Sequence, residues 1–337
     1  MIFLKNDYGL GAYPDVFAAL EAHNLELNDS YGTDTLCQQT QNLVRHLTGQ
    51  KQAEVHFFAG GTLTNLTCLA AFLRPFEAVI AAESAHINVH ETGAIEATGH
   101  KVLTVPTTDG KVHAADIQRL VAAHQDEQMV VPRLVYISDT TEMGAVYTKA
   151  ELQELHDCCQ QLGLYLYLDG ARLGMALGAA ENDLTWQDLA ALTDAFYVGG
   201  TKCGALFGEM VVLVNPALQP HFRYLMRQRG ALFAKGMLLG IQFKALLSNG
   251  LYEKLGAQAD AMGKRLAKGL AEKGYTFAYQ PVSNMVFPIL APDKAKELAA
   301  KIMFEKWLDN PDGTMTVRFV TSWQTMAEDV DAALELF

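Results

Sequence analysis

The sequence is short of positive charge. Only 26 lysines and arginines stand against 38 acidic residues, a net charge of −12. That deficit argues against a nucleic-acid partner and against an anionic membrane surface, while a local basic pocket for one phosphate stays open. No apolar stretch reaches about 18 residues without a charge, so no membrane span is expected. The opening Met1-Ile-Phe-Leu-Lys-Asn-Asp7 is broken by charge too early for a signal peptide. The five cysteines (Cys37, Cys68, Cys158, Cys159 and Cys203) are odd in number and contain no CxxC pair. This pattern predicts free thiols in a reducing, cytoplasmic setting. Repeats, low-complexity tracts and hydrophilic linkers are absent. A chain of 337 residues, half of them hydrophobic, is enough for one large domain and a smaller one.

Familiar site motifs are missing as well. Val55-His-Phe-Phe-Ala59 reads as a strand that runs into Gly60-Gly-Thr-Leu-Thr-Asn65 and an apolar helix through Leu73. Strand, glycine turn and helix aim backbone N–H groups at a phosphate. The spacing is not GxGxxG and there is no Walker lysine, so alone the stretch also reads as an ordinary βα turn. His86 and His90 stand four residues apart, which could hold a metal. The glutamate follows the second histidine rather than the first and no third ligand is evident, so no metal is expected.

What is present centres on Asp194-Ala-Phe-Tyr-Val-Gly-Gly-Thr-Lys-Cys-Gly204, an apolar run ending in two glycines, a threonine and a lysine. Earlier in the chain Gly163-Leu-Tyr-Leu-Tyr-Leu-Asp-Gly-Ala-Arg172 ends another apolar run in an aspartate. Two strands with charged ends point to an open parallel sheet working at its strand C-termini. An acid at one strand end and a lysine at the next is the pair that pyridoxal 5'-phosphate (PLP) requires. The lysine forms the Schiff base and the acid pairs with the pyridinium nitrogen.

Strands and helices alternate from residue 55 to about 215, the pattern of a doubly wound α/β sheet. Helices are expected from Val16 to His23, up to Leu47, at Ser84–Gly93, Ala114–His124, Lys149–Gln161 and Trp186–Leu192. Strands are expected at 78–81, 101–106 and 133–138, and Leu206–Val214 reads as an antiparallel return. A small α+β domain follows, with helices at 235–247, Leu251–Lys273, Asp293–Met303 and Met326–Leu336, and strands near Asn284 and over Met315–Val320. The division is expected at 1–245 and 246–337.

These residues, in this order, resemble the low-specificity L-threonine aldolases, in the β-eliminating-lyase branch of PLP enzymes with the aspartate-aminotransferase fold. The likeness rests on Asp29-Ser-Tyr-Gly32, Gly61-Thr-Leu-Thr-Asn65, Ala85-His86 followed by Glu91, Asp169-Gly-Ala-Arg172, Thr201-Lys202 and Val317-Arg-Phe-Val-Thr321. It implies a large PLP-binding domain with a mostly parallel sheet and a small C-terminal domain. It implies that Lys202 holds PLP, Asp169 keeps the ring nitrogen protonated and His86 stacks on the ring. Gly61, Thr62 and Thr201 would hold the phosphate. Arg172 and Arg318 would face the substrate carboxylate with Asn6 nearby. Tyr31, and a basic residue near Arg229 or Lys235, would reach a neighbouring subunit's cofactor, implying a homodimer or homotetramer.

The chain departs from the family twice. Asp139-Thr-Thr-Glu142 stands where relatives read like Glu-Asn-Thr-His, so Glu142 replaces a second histidine and is a candidate base beside His86. The stretch Arg227–Gly236 lacks the usual glycine run. The reaction expected is aldol cleavage of a β-hydroxy-α-amino acid, L-threonine or L-allo-threonine, to glycine and acetaldehyde. The same scaffold also permits β-elimination or transamination, and a remoter reading is a non-catalytic phosphate- or PLP-binding protein.

Overall fold

The computed structural model describes residues 1–337. In chain order the strands are β1 (Ile2–Phe3), β2 (Glu54–Phe58), β3 (Glu77–Ala82), β4 (Val102–Val105), β5 (Val131–Ser138), β6 (Tyr165–Asp169), β7 (Ala195–Gly199) and β8 (Glu209–Leu213). The smaller ones are β9 (Met285–Val286), β10 (Ile289–Leu290), β11 (Ile302–Met303), β12 (Glu305–Asp309) and β13 (Met315–Val320). A seven-stranded sheet runs in the order β2-β8-β7-β6-β5-β3-β4. Strands β3 to β7 pair in parallel, and β8 is antiparallel to both β7 and β2. Buried runs such as Leu166-Tyr-Leu168 in β6 suit this layer, because crossover helices cover both faces of a parallel sheet.

This topology gathers one edge. The C-terminal ends of β2, β3, β5, β6 and β7 point the same way, and the antiparallel β8 begins there. The turns that follow carry Gly60–Thr62, His86, Glu142, Asp169–Arg172 and Thr201–Lys202. The chain order reverses between β3 and β5, where open α/β sheets form their crevice. His86 follows β3 and Glu142 follows β5, so they flank that crevice.

The smaller elements differ from expectation. The stretch Ser84–Gly93 forms one helical turn, His86–Val89, because Thr92 and Gly93 both take left-handed backbone conformations. The helix expected at Asp293–Met303 spans only Pro292–Ala299. Ile302 and Met303 instead pair in parallel with β1, where the Ile2 and Leu4 N–H groups find their acceptors. Strand β12 is hidden in the sequence by its charge, since Glu305, Lys306 and Asp309 give it no apolar alternation. It pairs with β13 and sets Glu305 opposite Arg318.

Two hydrophobic cores and a small cluster of Met285, Phe287 and Val320 result. The larger fills the sheet layers. The smaller joins Leu266 and Leu270 to Val286, Leu290, Ile302, Val317 and Phe319, and it takes in Leu4 from the opening segment. Helix Leu251–Glu272 contributes to both, with Tyr252, Leu255 and Ala259 in the first. It lies hard against the helix Leu173–Gly178. A Cβ on Gly256 would stand 1.8 Å from the Gly174 carbonyl oxygen, so only glycine permits this approach.

The same helix buries an acid with no partner. Neither carboxyl oxygen of Asp260 is hydrogen-bonded, and burial pushes its pKa up to about 8. Between its ordinary value near 3.8 and about 8, the folded chain holds a proton that the unfolded chain has released. Stability therefore falls as pH rises through that window, and the full cost is reached above it. Asp260→Asn should remove this component. In urea unfolding at about pH 5 and about pH 8, the variant is expected to gain on the parent at the higher pH. An equal pH response of the two proteins would contradict the assignment.

Candidate active site

A cleft opens at the gathered sheet edge. Eight residues singled out in the sequence line it together: Gly61, Thr62, His86, Glu142, Asp169, Arg172, Thr201 and Lys202. Asp169 ends β6 with its carboxylate held on three sides. Oδ2 accepts from the Tyr136 hydroxyl and, at 2.9 Å, from Asn65 Nδ2, while Oδ1 accepts from the Ala171 N–H at 2.9 Å. Lys202 follows the double glycine after β7, and its amine makes no hydrogen bond or ion pair. Burial, then the nearby Arg172 charge, lowers its pKa. A lysine so placed gives up its proton more readily than one in water.

The chain passes directly from β2 through Gly60 into the helix Gly61–Phe72, and Gly60, Gly61 and Thr62 at that helix start line the cleft. The Tyr197 hydroxyl fills the space beside Gly61, 3.3 Å from where a Cβ would stand. Thr201 accepts from the Gly208 N–H at 3.0 Å, which fixes the loop carrying Lys202.

His86 is held at ring and backbone. Its Nδ1 lies 2.8 Å from Glu91 Oε1, and its backbone N–H donates to Glu142 Oε1 at 2.9 Å. With Nδ1–H assigned as donor to the glutamate, Nε2 is the free acceptor. Glu142 Oε1 also accepts from Ser138 Oγ at 2.9 Å, which leaves Oε2 for the cleft. Burial raises the Glu142 pKa.

Asn65 ties these groups together. Its amide donates to Glu91 Oε1 at 2.8 Å and to Asp169 Oδ2 at 2.9 Å, and its oxygen accepts from Tyr167 at 3.2 Å. The sequence displays Asn65 and Glu91 within motifs but not this link, which needs a contact between residues 104 apart. Asn65→Ala should leave two buried carboxylates short of a donor. The expected cost is about 1–3 kcal/mol in denaturant unfolding, together with a fall in turnover. Parent-like values of both would show that the amide positions nothing.

Two expected residues lie outside this cleft. Asn6 does not reach the cleft, because its side chain folds back to accept from the Tyr8 N–H at 3.1 Å. Its neighbours take that place: Tyr8 lines the cleft, and Asp7 binds Arg172 through two oxygens at 2.7 and 3.1 Å. Arg172 Nη1 is left without a partner. Arg318 does not line the cleft in this chain; it is paired with Glu305 and stacked over Trp307 at 5.1 Å, near enough to Arg172 for the two charges to oppose. Its buried Nε has no partner. Tyr31 lines a separate pocket with His56 and Arg223. The basic residues that hold it are Arg223, which donates to its carbonyl at 3.0 Å, and Arg227, over its ring at 4.6 Å.

Cys203, beside the lysine, packs. Its thiol is buried against Gly174 and faces the Tyr252 carbonyl at 3.4 Å.

The donor set fits PLP. An anchored acid can meet a ring nitrogen, glycine-turn N–H groups and Thr201 can meet a phosphate, and an unpartnered amine can meet an aldehyde. Comparison with known proteins agrees. The beta-eliminating lyase family model matches residues 15–292. A low specificity L-threonine aldolase from Pseudomonas sp. (strain NCIMB 10558) is 31% identical over 330 residues, which is 96% of this chain and 93% of that one. The solved structure of Leishmania major threonine aldolase superposes with a TM-score of 0.98 at 45% identity, covering 100% of this chain and 98% of that one. Sphingomonas wittichii serine palmitoyltransferase shares the fold at a TM-score of 0.74 and 17% identity, covering 99% and 85%. The chain belongs to the beta-eliminating lyase family.

Proposed function

We propose that this chain is a PLP-dependent lyase that cleaves the Cα–Cβ bond of L-threonine or L-allo-threonine, giving glycine and acetaldehyde. The observation that carries this reading is the meeting, in one cleft, of an unpartnered Lys202 amine, a triply held Asp169 and the linked pair His86 and Glu142. The threonine aldolase relatives support the same substrate class. When bound, PLP supplies the electron sink that takes up the pair left on Cα. Lys202 makes the covalent attachment, helped by its lowered pKa. Asp169 accepts a hydrogen bond from the ring nitrogen and keeps its proton in place. The N–H groups of Gly61 and Thr62 and the Thr201 hydroxyl bind the phosphate.

Arg172, through its free Nη1, binds the substrate carboxylate. That fixes the amino acid with its Cα–Cβ bond in the cleavable orientation. Glu142 Oε2 or His86 Nε2 takes the β-hydroxyl proton as the bond breaks. The aldehyde leaves and a proton returns to Cα. Incubation with each threonine diastereomer, assayed for acetaldehyde and glycine in equal amounts, tests this directly. Ammonia and a keto acid instead of acetaldehyde would mark β-elimination, and a keto acid with the amino group retained on the cofactor would mark transamination. Either would replace the reading.

We also propose that the chain divides at 1–245 and 246–337, with the second part built on the smaller core, the first half of the helix Leu251–Glu272 packed on the larger core and Leu4 of the opening segment in the smaller one. Five buried free thiols support a reducing, cytoplasmic setting, and no helix is long and apolar enough to cross a membrane. A homodimer or homotetramer is supported by Leu25 and Leu27, 93% and 103% exposed, in the loop preceding Tyr31. Sedimentation at assay concentration should give at least twice the chain mass. A fully active monomer would contradict it.

A further inference from the structure

One acid in the cleft is not used by the reaction described above. Glu209 opens β8, where the register places it opposite Phe58 at the end of β2 and opposite Gly199 at the end of β7. Those strands lead directly into Gly60–Thr62 and into Thr201, the two segments assigned to the phosphate. Glu209 therefore lies between them at the sheet edge and lines the same cleft. It is only 5% exposed. Oε2 accepts from the Gly200 N–H at 3.1 Å, and the Thr201 hydroxyl is close enough to stabilise the charged form. In the sequence its signal is a charged residue at the head of an otherwise apolar strand, Glu-Met-Val-Val-Leu.

We propose that Glu209 is a ligand of the cofactor's phosphate ester, binding it as a neutral carboxylic acid that donates its O–H. This rests on the PLP reading and adds a residue to it. A phosphate monoester carries between one and two negative charges at neutral pH. An ionised carboxylate beside it would be repelled, and both groups would be acceptors with no proton to share. A protonated acid reverses both terms, because it is uncharged and supplies a donor.

The surroundings favour that form. Burial pushes the Glu209 pKa up to about 8. Lys202 and the Thr201 and Gly200 donors, from the loop after β7, oppose the rise, while Asp169 on β6 adds to it. Tyr197 on β7 and Tyr252 on the helix Leu251–Glu272 also feel its charge, and burial holds both phenols well above their ordinary value, hence uncharged. A phosphate arriving at the helix N-terminus adds negative charge and raises the Glu209 pKa further. By linkage, binding above about pH 8 must take up a proton, and affinity must then fall by about tenfold per pH unit.

The test uses pyridoxine 5'-phosphate, which has no aldehyde, so covalent attachment to Lys202 does not contribute. Its affinity would be measured by calorimetry from about pH 6.5 to about pH 9.5 on the full chain, on Glu209→Gln and on Glu209→Ala, with pyridoxine as the phosphate-free control. The parent should bind evenly up to about pH 8 and then weaken with proton uptake. Glu209→Gln keeps a neutral donor of the same shape. It should match the parent within a few-fold near pH 7 and lack the alkaline fall. Glu209→Ala should bind about tenfold more weakly near pH 7, and pyridoxine should not distinguish the three.

Parallel pH profiles for the parent and Glu209→Gln would overturn the assignment. So would loss of binding in Glu209→Gln alone, which would make Glu209 a counter-ion of Lys202. No binding of pyridoxine 5'-phosphate to any of the three would overturn the cofactor reading itself, and this assignment with it. Thermal unfolding without ligand confirms that each variant is folded.

Discussion

Lys202→Ala is expected to abolish turnover while leaving the fold intact. The Lys202 amine makes no hydrogen bond or ion pair, and burial lowers its pKa. Alanine therefore removes a group whose ammonium form is poorly solvated and breaks no hydrogen bond. The unfolding midpoint should stay level or rise. PLP can still be held by its phosphate and by Asp169, but without a covalent bond. Bound cofactor should show the absorbance of the free aldehyde rather than that of a Schiff base. Turnover within about tenfold of the parent would mean that another amine carries the cofactor.

The second large effect concerns the base. Glu142→Gln should lower turnover by roughly 10²–10⁴-fold with little change in cofactor binding. The amide oxygen can still accept from the His86 N–H and from Ser138, so the local geometry survives and only basicity is lost. Burial raises the Glu142 pKa, and a base acts in its ionised form. The parent's turnover should therefore fall as pH drops through that raised value. The same acidic limb should be absent from Glu142→Gln. His86→Phe, which keeps a ring over the cofactor but gives up the contact with Glu91, should be the milder lesion. The reverse order of severity, or an acidic limb that persists in Glu142→Gln and vanishes in His86→Phe, would return the role to His86.

The parts of the site that were legible in the sequence are those carried by strand ends. Asp169 and Lys202 each close an apolar run, and in a parallel sheet such residues must arrive at one edge, whatever the details of packing. Gly61, Thr62, His86 and Glu142 came through the family resemblance, and the sheet explains why they meet, since each lies just after a strand of it. What could not be read depends on contacts between distant segments. Asn65 joins two acids because β6 and the helix Gly61–Phe72 are neighbours, which no local pattern states. Arg172 meets Asp7 across 165 positions, displacing Asn6 from its expected place. Short pairing elements fared worst. Strands β1 and β11 have two residues each and exist because they satisfy one another's backbone groups. Strand β12 is half solvent-facing and charged, so it lacks an apolar signature.

The account turns on Lys202 as the point of attachment, and one measurement tests that directly. Borohydride reduction of the PLP-loaded chain, followed by digestion and mass analysis, should place a single pyridoxyl group on the peptide containing Thr201-Lys202-Cys203. Label on a different lysine, or a chain that takes up PLP and yields no labelled peptide after reduction, would contradict it.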